Sequence, residues 1–198
     1  KDILLHHPYQ SFQLVLDFIS AAAIDPDVLA IKQTVYRTGM NSDLMESLIT
    51  AALRGKEVTV VVELMARFDE ETNINWADRL EKAGAQVVYG VVGLKTHAKM
   101  ALVLRREKGE IRQYAHLGTG NYHPTTTKLY TDFGLLTAHV PLTTEVNEIF
   151  IHLTSLTKPK KLQHLWLAPF VLHREIIKAI RNEAAIAREG RLGRIIAK

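Results

Sequence analysis

The chain has 198 residues, 47% of them hydrophobic, enough to bury one sizeable core, or one domain and part of another. With no cysteine it can form neither a disulfide nor a thiolate metal site. A net charge of +4 favours an anionic partner, yet 21 acidic residues interspersed among 25 basic ones exclude a tail that merely coats nucleic acid.

Taken in chain order, Pro8 precedes apolar residues at Phe12, Val15, Leu16, Phe18 and Ile19, a helical spacing that Asp25-Pro26 stops. Val28 to Val35 reads as a strand. Ser42 to Leu53 reads as a helix with Ser42 as N-cap, Glu46 within reach of its first turn and Gly55 at its end. Val58, Val60, Val61 and Val62 give Glu57 to Leu64 the β-branched density of a strand buried on both faces of a parallel sheet. Thr72 to Ala83 is a helix closed by Gly84, and its approach, Asp69-Glu70-Glu71, is read as a helix start rather than a metal cluster. Gln86 to Val92 is a short strand. The alternation predicts an α/β layer with a mixed, mostly parallel sheet and helices on both faces.

Lys99 to Arg106 and Ile111 to Leu117 form a hairpin through Glu107-Lys108-Gly109-Glu110. Thr131 to Thr137 is a further strand, and Thr144 to Leu153 a helix begun by a threonine cap. Thr157-Lys158-Pro159-Lys160-Lys161 reads as a linker, and His173 to Glu189 as a long helix ending at Gly190. No apolar run approaches the ~20 residues of a membrane span, and no signal pattern opens the chain, so a cytoplasmic protein is expected. The start at Lys1 and the apolar Ile195-Ile196 near the end read as a piece cut from a longer polypeptide.

The segment Gly93-Leu94-Lys95-Thr96-His97-Ala98-Lys99 concentrates the chemistry. Were it a strand, His97 and Lys99 would leave one face roughly 6–7 Å apart. An imidazole beside a fixed cation suits attack on phosphorus: the ring takes the phosphoryl group while the ammonium holds its oxygens. The cation also disfavours the imidazolium and so preserves the nucleophilic lone pair. Sites in open α/β sheets lie beyond the carboxyl ends of parallel strands. Arg37, Arg67 and the His97 segment each follow such an end, and two guanidinium forks match phosphate oxygens. Nineteen residues beyond His97 stands His116, before a turn, Gly118-Thr119-Gly120-Asn121, whose glycines let backbone N–H groups approach an anion.

The segments Lys32-Gln33-Thr34-Val35-Tyr36-Arg37, Glu63-Leu64-Met65-Ala66-Arg67-Phe68-Asp69-Glu70, Gly93 to Lys99, Ala115 to Asn121 and Leu129-Tyr130-Thr131-Asp132-Phe133-Gly134-Leu135-Leu136-Thr137 resemble the bacterial polyphosphate kinases of the long, multidomain type. The resemblance implies a phospholipase D-like catalytic domain over residues 1–157, the first of two C-terminal domains, with 158–198 as linker, helix and the start of the second. The phospholipase D signature, His-x-Lys-x4-Asp followed by Gly-Ser/Thr-x-Asn, is kept at His97, Lys99 and Gly118 to Asn121 but lost at the aspartate, which is Leu104.

Residue by residue, the resemblance implies His97 as a phosphohistidine nucleophile, His116 as a supporting histidine, and Lys99 and Asn121 on phosphate. It implies Tyr130 on ATP, and Arg37 and Arg67 at Mg²⁺. Arginine has no lone pair for a cation, so both arginines are expected on phosphate oxygens that Mg²⁺ shares. The function so implied is ATP:polyphosphate phosphotransfer, with ATP, ADP and inorganic polyphosphate as partners, no nucleic acid, and a homo-oligomer in the full-length protein. The isolated piece is expected to be inactive. A phospholipase D-like phosphodiesterase or nuclease and a non-catalytic polyanion-binding module stand as alternatives.

Overall fold

Seven strands make one sheet in the order β1-β7-β6-β5-β2-β3-β4. The structure is a computed structural model that describes residues 2–196 except 38, 41, 65, 67–69, 91–92, 124, 156 and 158–160. The strands are β1 (Ile3–His7), β2 (Val28–Val35), β3 (Glu57–Val62), β4 (Gln86–Tyr89), β5 (Lys99–Glu107), β6 (Glu110–Gly118) and β7 (Asp132–Thr137).

β2, β3 and β4 run parallel, as their alternation with helices predicts. The other four pairings, β1 with β7, β7 with β6, β6 with β5 and β5 with β2, are antiparallel. The sheet is therefore mostly antiparallel, which corrects the mostly parallel sheet expected from the sequence. The reason is the β5–β6 hairpin, which docks against β2 and carries β7 and then β1 on its far side. β1 itself was not anticipated: it is a five-residue edge strand that pairs with β7 and buries Leu5 in the core.

The helices are α1 (Gln13–Ile24), α2 (Asp43–Leu53), α3 (Glu70–Lys82), the short α4 (Thr126–Leu129), α5 (Val140–Ser155) and α6 (Leu172–Arg188). Ser42 caps α2, its hydroxyl accepting from the Met45 N–H, and Asp43 and Glu46 sit in the positive first turn. One face of the sheet is covered by α1, α2 and α3: Val15, Ile19, Leu44, Met45, Leu48, Trp76 and Leu80 join Ile31, Val35, Val58, Val60 and Val62 in a single buried cluster. α5 covers the other face, where Lys32 of β2 donates to Asn147 at 3.0 Å. Val58 to Val62 are all buried, as a central parallel strand between two layers requires.

α5 begins at Val140, ahead of the expected threonine cap, because Pro141 falls in the first turn, where its missing N–H has no intrahelical partner to lose. The chain divides into two compact units, 1–159 and 160–198. The second contains α6, closed by Gly190 at φ 73°, and none of its described residues is buried. Among the described residues no helix is long and apolar enough to cross a membrane.

Candidate active site

Antiparallel pairing brings four strand ends to one rim. β2 ends at Val35, β5 begins at Lys99 beside it, Gly118 at the end of β6 lies opposite Lys99, and Gly134 near the start of β7 lies opposite Gly118. The cleft at this rim has a volume of about 260 Å³ and is walled by Arg37, His97, Lys99, Asn121, Tyr130 and Asp132, with Thr119, Gly120 and Thr126 between them. Five predicted residues, Arg37, His97, Lys99, Asn121 and Tyr130, thus share one cavity although up to 93 positions separate them in sequence. Arg67 lies outside the described residues.

His97 is not on a strand, contrary to the alternation assumed from sequence. It occupies the irregular segment before β5 and is exposed to the cleft, whereas Lys99 opens the strand and is only 7% exposed. The Lys99 ammonium turns back to donate to the His97 carbonyl at 2.6 Å. The ring of Tyr36 packs edge-on against the imidazole, centroids 4.6 Å apart at 85°. Tyr36 also faces both cations, Lys99 Nζ at 5.0 Å and the Arg37 guanidinium at 5.6 Å from its centroid.

Partial desolvation at the cleft wall, with help from the charges of Lys99, Arg37 and Lys95, holds the His97 pKa below the usual histidine value, which favours the neutral ring. Burial likewise brings Lys99 down to about 8, opposed by the negative charge of Asp132 and reinforced by Arg37.

The segment carrying His97 is fastened from beneath. Buried Glu63 accepts the Thr96 N–H on Oε2 at 2.7 Å. Asn73 of α3 donates to the carbonyls of Glu63 and Tyr36 at 2.9 and 3.0 Å, clamping the ends of β3 and β2 together. The Thr34 hydroxyl donates to the Ala98 carbonyl at 2.7 Å and accepts the Met100 N–H at 3.0 Å, stapling β2 to the start of β5.

Asp132 was not singled out from sequence, yet it is the one carboxylate lining this cleft among the described residues. Its Oδ1 accepts from the Thr119 hydroxyl at 2.8 Å. A Cβ on Gly120 would lie 2.4 Å from Asp132 Oδ2, so this glycine is needed for close approach. Neither Gly118 nor Gly120 has positive φ. Tyr36, Glu63 and Asp132 all stand inside the segments quoted above; a polar or aromatic residue at a strand end was the signal available.

His116 is not among the residues that wall this cleft. It is 1% exposed, with Nδ1 against the Tyr122 hydroxyl at 2.7 Å, behind the turn that forms the cleft wall. Burial, with the neighbouring His7, pushes its pKa down to about 3, so it is a neutral, sealed ring. A larger groove, about 790 Å³ between α1, α2 and α4, contains none of the predicted site residues and no comparable cluster of cations.

The layered sheet, with this cationic, histidine-bearing cleft at its rim, has the fold of a phospholipase D-like α/β domain. The phospholipase D family member Nuc of Salmonella typhimurium shares the fold, at a TM-score of 0.61 and 14% identity over 81% of this chain and 98% of that one. The chain belongs to the polyphosphate kinase family: residues 1–159 match the model of polyphosphate kinase C-terminal domain 1. It is 58% identical to the polyphosphate kinase of Neisseria meningitidis serogroup A over 99% of its length, and 59% identical to that of Paraburkholderia phytofirmans over 100%. It spans 29% of each of those proteins. The crystal structure of polyphosphate kinase from Porphyromonas gingivalis superposes with a TM-score of 0.83 and 38% identity over 96% of this chain and 32% of that one.

Proposed function

We propose that this chain supplies the nucleophile-bearing wall of an ATP:polyphosphate phosphotransferase. The observation that carries the reading is a neutral imidazole, His97, open to a cleft whose walls hold Lys99 and Arg37. A nitrogen of His97 attacks the terminal phosphorus of ATP in line; the N–P bond forms, the β,γ-bridging P–O bond breaks, and ADP leaves with that electron pair. A terminal oxygen of polyphosphate then attacks the phosphorus, the N–P bond breaks, and the imidazole recovers its lone pair. Lys99 and Arg37 hold the equatorial oxygens, whose charge grows in the loose transition state. The polyphosphate kinases at 58–59% identity support the same substrates.

The donor set fits Mg²⁺, which favours one or two carboxylates together with substrate phosphates. Asp132 and the phosphate oxygens that Arg37 binds would hold it, and when bound it neutralises phosphate charge. The deciding experiment is labelling of the complete native polypeptide with γ-labelled ATP. Acid-labile, base-stable label on His97, absent from His97→Ala, is expected; a labelled aspartate or serine, or none, refutes the mechanism. Phosphodiester cleavage without ATP would favour the phosphodiesterase alternative.

A further inference from the structure

Behind the cleft wall, His7 and His116 are 3% and 1% exposed, and the Nε2 atom of each is buried without a hydrogen-bond partner among the described residues. A Cβ built on Gly134 would lie 3.1 Å from the first nitrogen and 2.8 Å from the second, so the two nitrogens are less than about 6 Å apart, a gap that one water can bridge. The two histidines also line a cavity of about 10 Å³ together with Asn121, whose Oδ1 is a third buried atom without a partner. That volume holds one water molecule.

The hydrogen-bond chemistry is complementary. His7 Nδ1 meets the Gln10 carbonyl at 2.8 Å, which can only accept; Nδ1 therefore carries a proton, and in that tautomer of the imidazole Nε2 presents a lone pair. Tyr122 is buried, and the hydrogen-bond partner of its hydroxyl among the described residues is His116 Nδ1 at 2.7 Å, so the hydroxyl donates there rather than leave its proton unmet. Neutral His116 then presents N–H at Nε2. A water accepts one hydrogen bond and gives two, and the three orphan atoms are one donor and two acceptors.

We propose that one bound water accepts from His116 Nε2–H and donates to His7 Nε2 and Asn121 Oδ1, making His7 a positioning residue for the Asn121 amide. With its oxygen held inward, Asn121 leaves its NH₂ arm for the cleft that it also lines, where it donates to a phosphate oxygen. This rests on the reading of the cleft as a phosphate-chain site. His116 then acts on the reaction through the water and Asn121, without touching phosphorus.

The test is made on the complete native polypeptide with two independent readouts: a crystal structure at a resolution that shows ordered water, and calorimetric affinity for inorganic polyphosphate. The wild type is expected to show a water bonded to all three atoms. His7→Phe is expected to lose it and to weaken polyphosphate binding about five- to tenfold, the scale of one hydrogen bond. His7→Gln, which keeps an acceptor, is expected to retain the water and the affinity. A wild-type structure without that water, His7→Phe binding polyphosphate as tightly as wild type, or a loss that His7→Gln does not restore overturns the proposal. If wild-type protein binds no polyphosphate, the functional reading fails, while the crystallographic water still decides this one.

Discussion

The imidazole of His97 stands edge-on to the ring of Tyr36, centroids 4.6 Å apart and planes at 85°. That contact limits rotation of an otherwise exposed ring, and the same aromatic face meets Lys99 and Arg37. Tyr36→Ala is expected to slow His97 phosphorylation roughly three- to tenfold, from an aromatic pair worth about 0.5–1.5 kcal/mol. Tyr36→Phe should stay close to wild type, as the ring makes the contact. Rapid-quench measurement of phosphohistidine decides it; equal rates for Tyr36→Ala and wild type would show that the imidazole is oriented by other means.

The paired titrations of His97 and Lys99 predict the shape of the pH profile. His97 must be neutral to attack, and its lowered pKa places the rising limb below the usual histidine range. Lys99 must be charged to hold phosphate oxygens, so the falling limb is set near its pKa of about 8. Because the charge of Asp132 raises the Lys99 pKa, Asp132→Asn should move the falling limb to lower pH. Lys99→Arg should remove that limb, as guanidinium stays charged throughout. The kcat/KM profile of phosphotransfer between pH 5 and 10 checks both shifts; an alkaline limb unmoved by either variant would remove Lys99 from this role.

Among the buried contacts that fasten the loop carrying His97, one comes from Glu63. The Glu63 carboxylate accepts the Thr96 N–H at 2.7 Å, 33 positions along the chain. Glu63→Ala strands that N–H and should destabilise the domain by about 2 kcal/mol, or roughly 4–8 °C in Tm. Glu63→Gln retains an acceptor oxygen and should cost less than half as much. Thermal melting followed by circular dichroism measures both, and a Glu63→Ala protein melting with wild type would mean that the anchor is not needed.

These contacts mark where the sequence stops being readable. The β2, β3 and β4 strands and the helices between them follow from local pattern, because Val58 to Val62 or the Ser42 cap carry their signal within a few residues. The antiparallel majority depends on which edge the β5–β6 hairpin finds, and β1, with Ile3 and Leu4 more than half exposed, is a strand only because β7 lies beside it. In the site, Arg37, His97 and Lys99 were read from strand ends, Asn121 from a glycine turn and Tyr130 from the family resemblance, and the fold brings all five to one cleft. Tyr36, Glu63 and Asp132 were not legible, because their roles arise from contacts that only the fold creates. His116 was legible as a histidine near a glycine turn, but the layer of protein that seals it away from His97 was not.

That seal predicts how the domain responds to acid. His116 has a pKa near 3 in the folded protein, from burial and the nearby His7, against the ordinary histidine value of 6.5 when unfolded. Between those values the unfolded chain binds a proton that the folded chain refuses, so its contribution to stability is intact above pH 6.5 and falls as pH drops toward 3. The full loss is on the order of 4 kcal/mol. The titratable groups packed against it are His7 from β1 and Tyr122 beyond the turn. His116→Asn removes this titration while leaving a polar group for Tyr122. It should be less stable than wild type at pH 7 and should lose less stability between pH 7 and 4. Urea unfolding across that range measures both slopes; parallel curves for wild type and His116→Asn would mean that the buried imidazole takes up its proton without unfolding the domain.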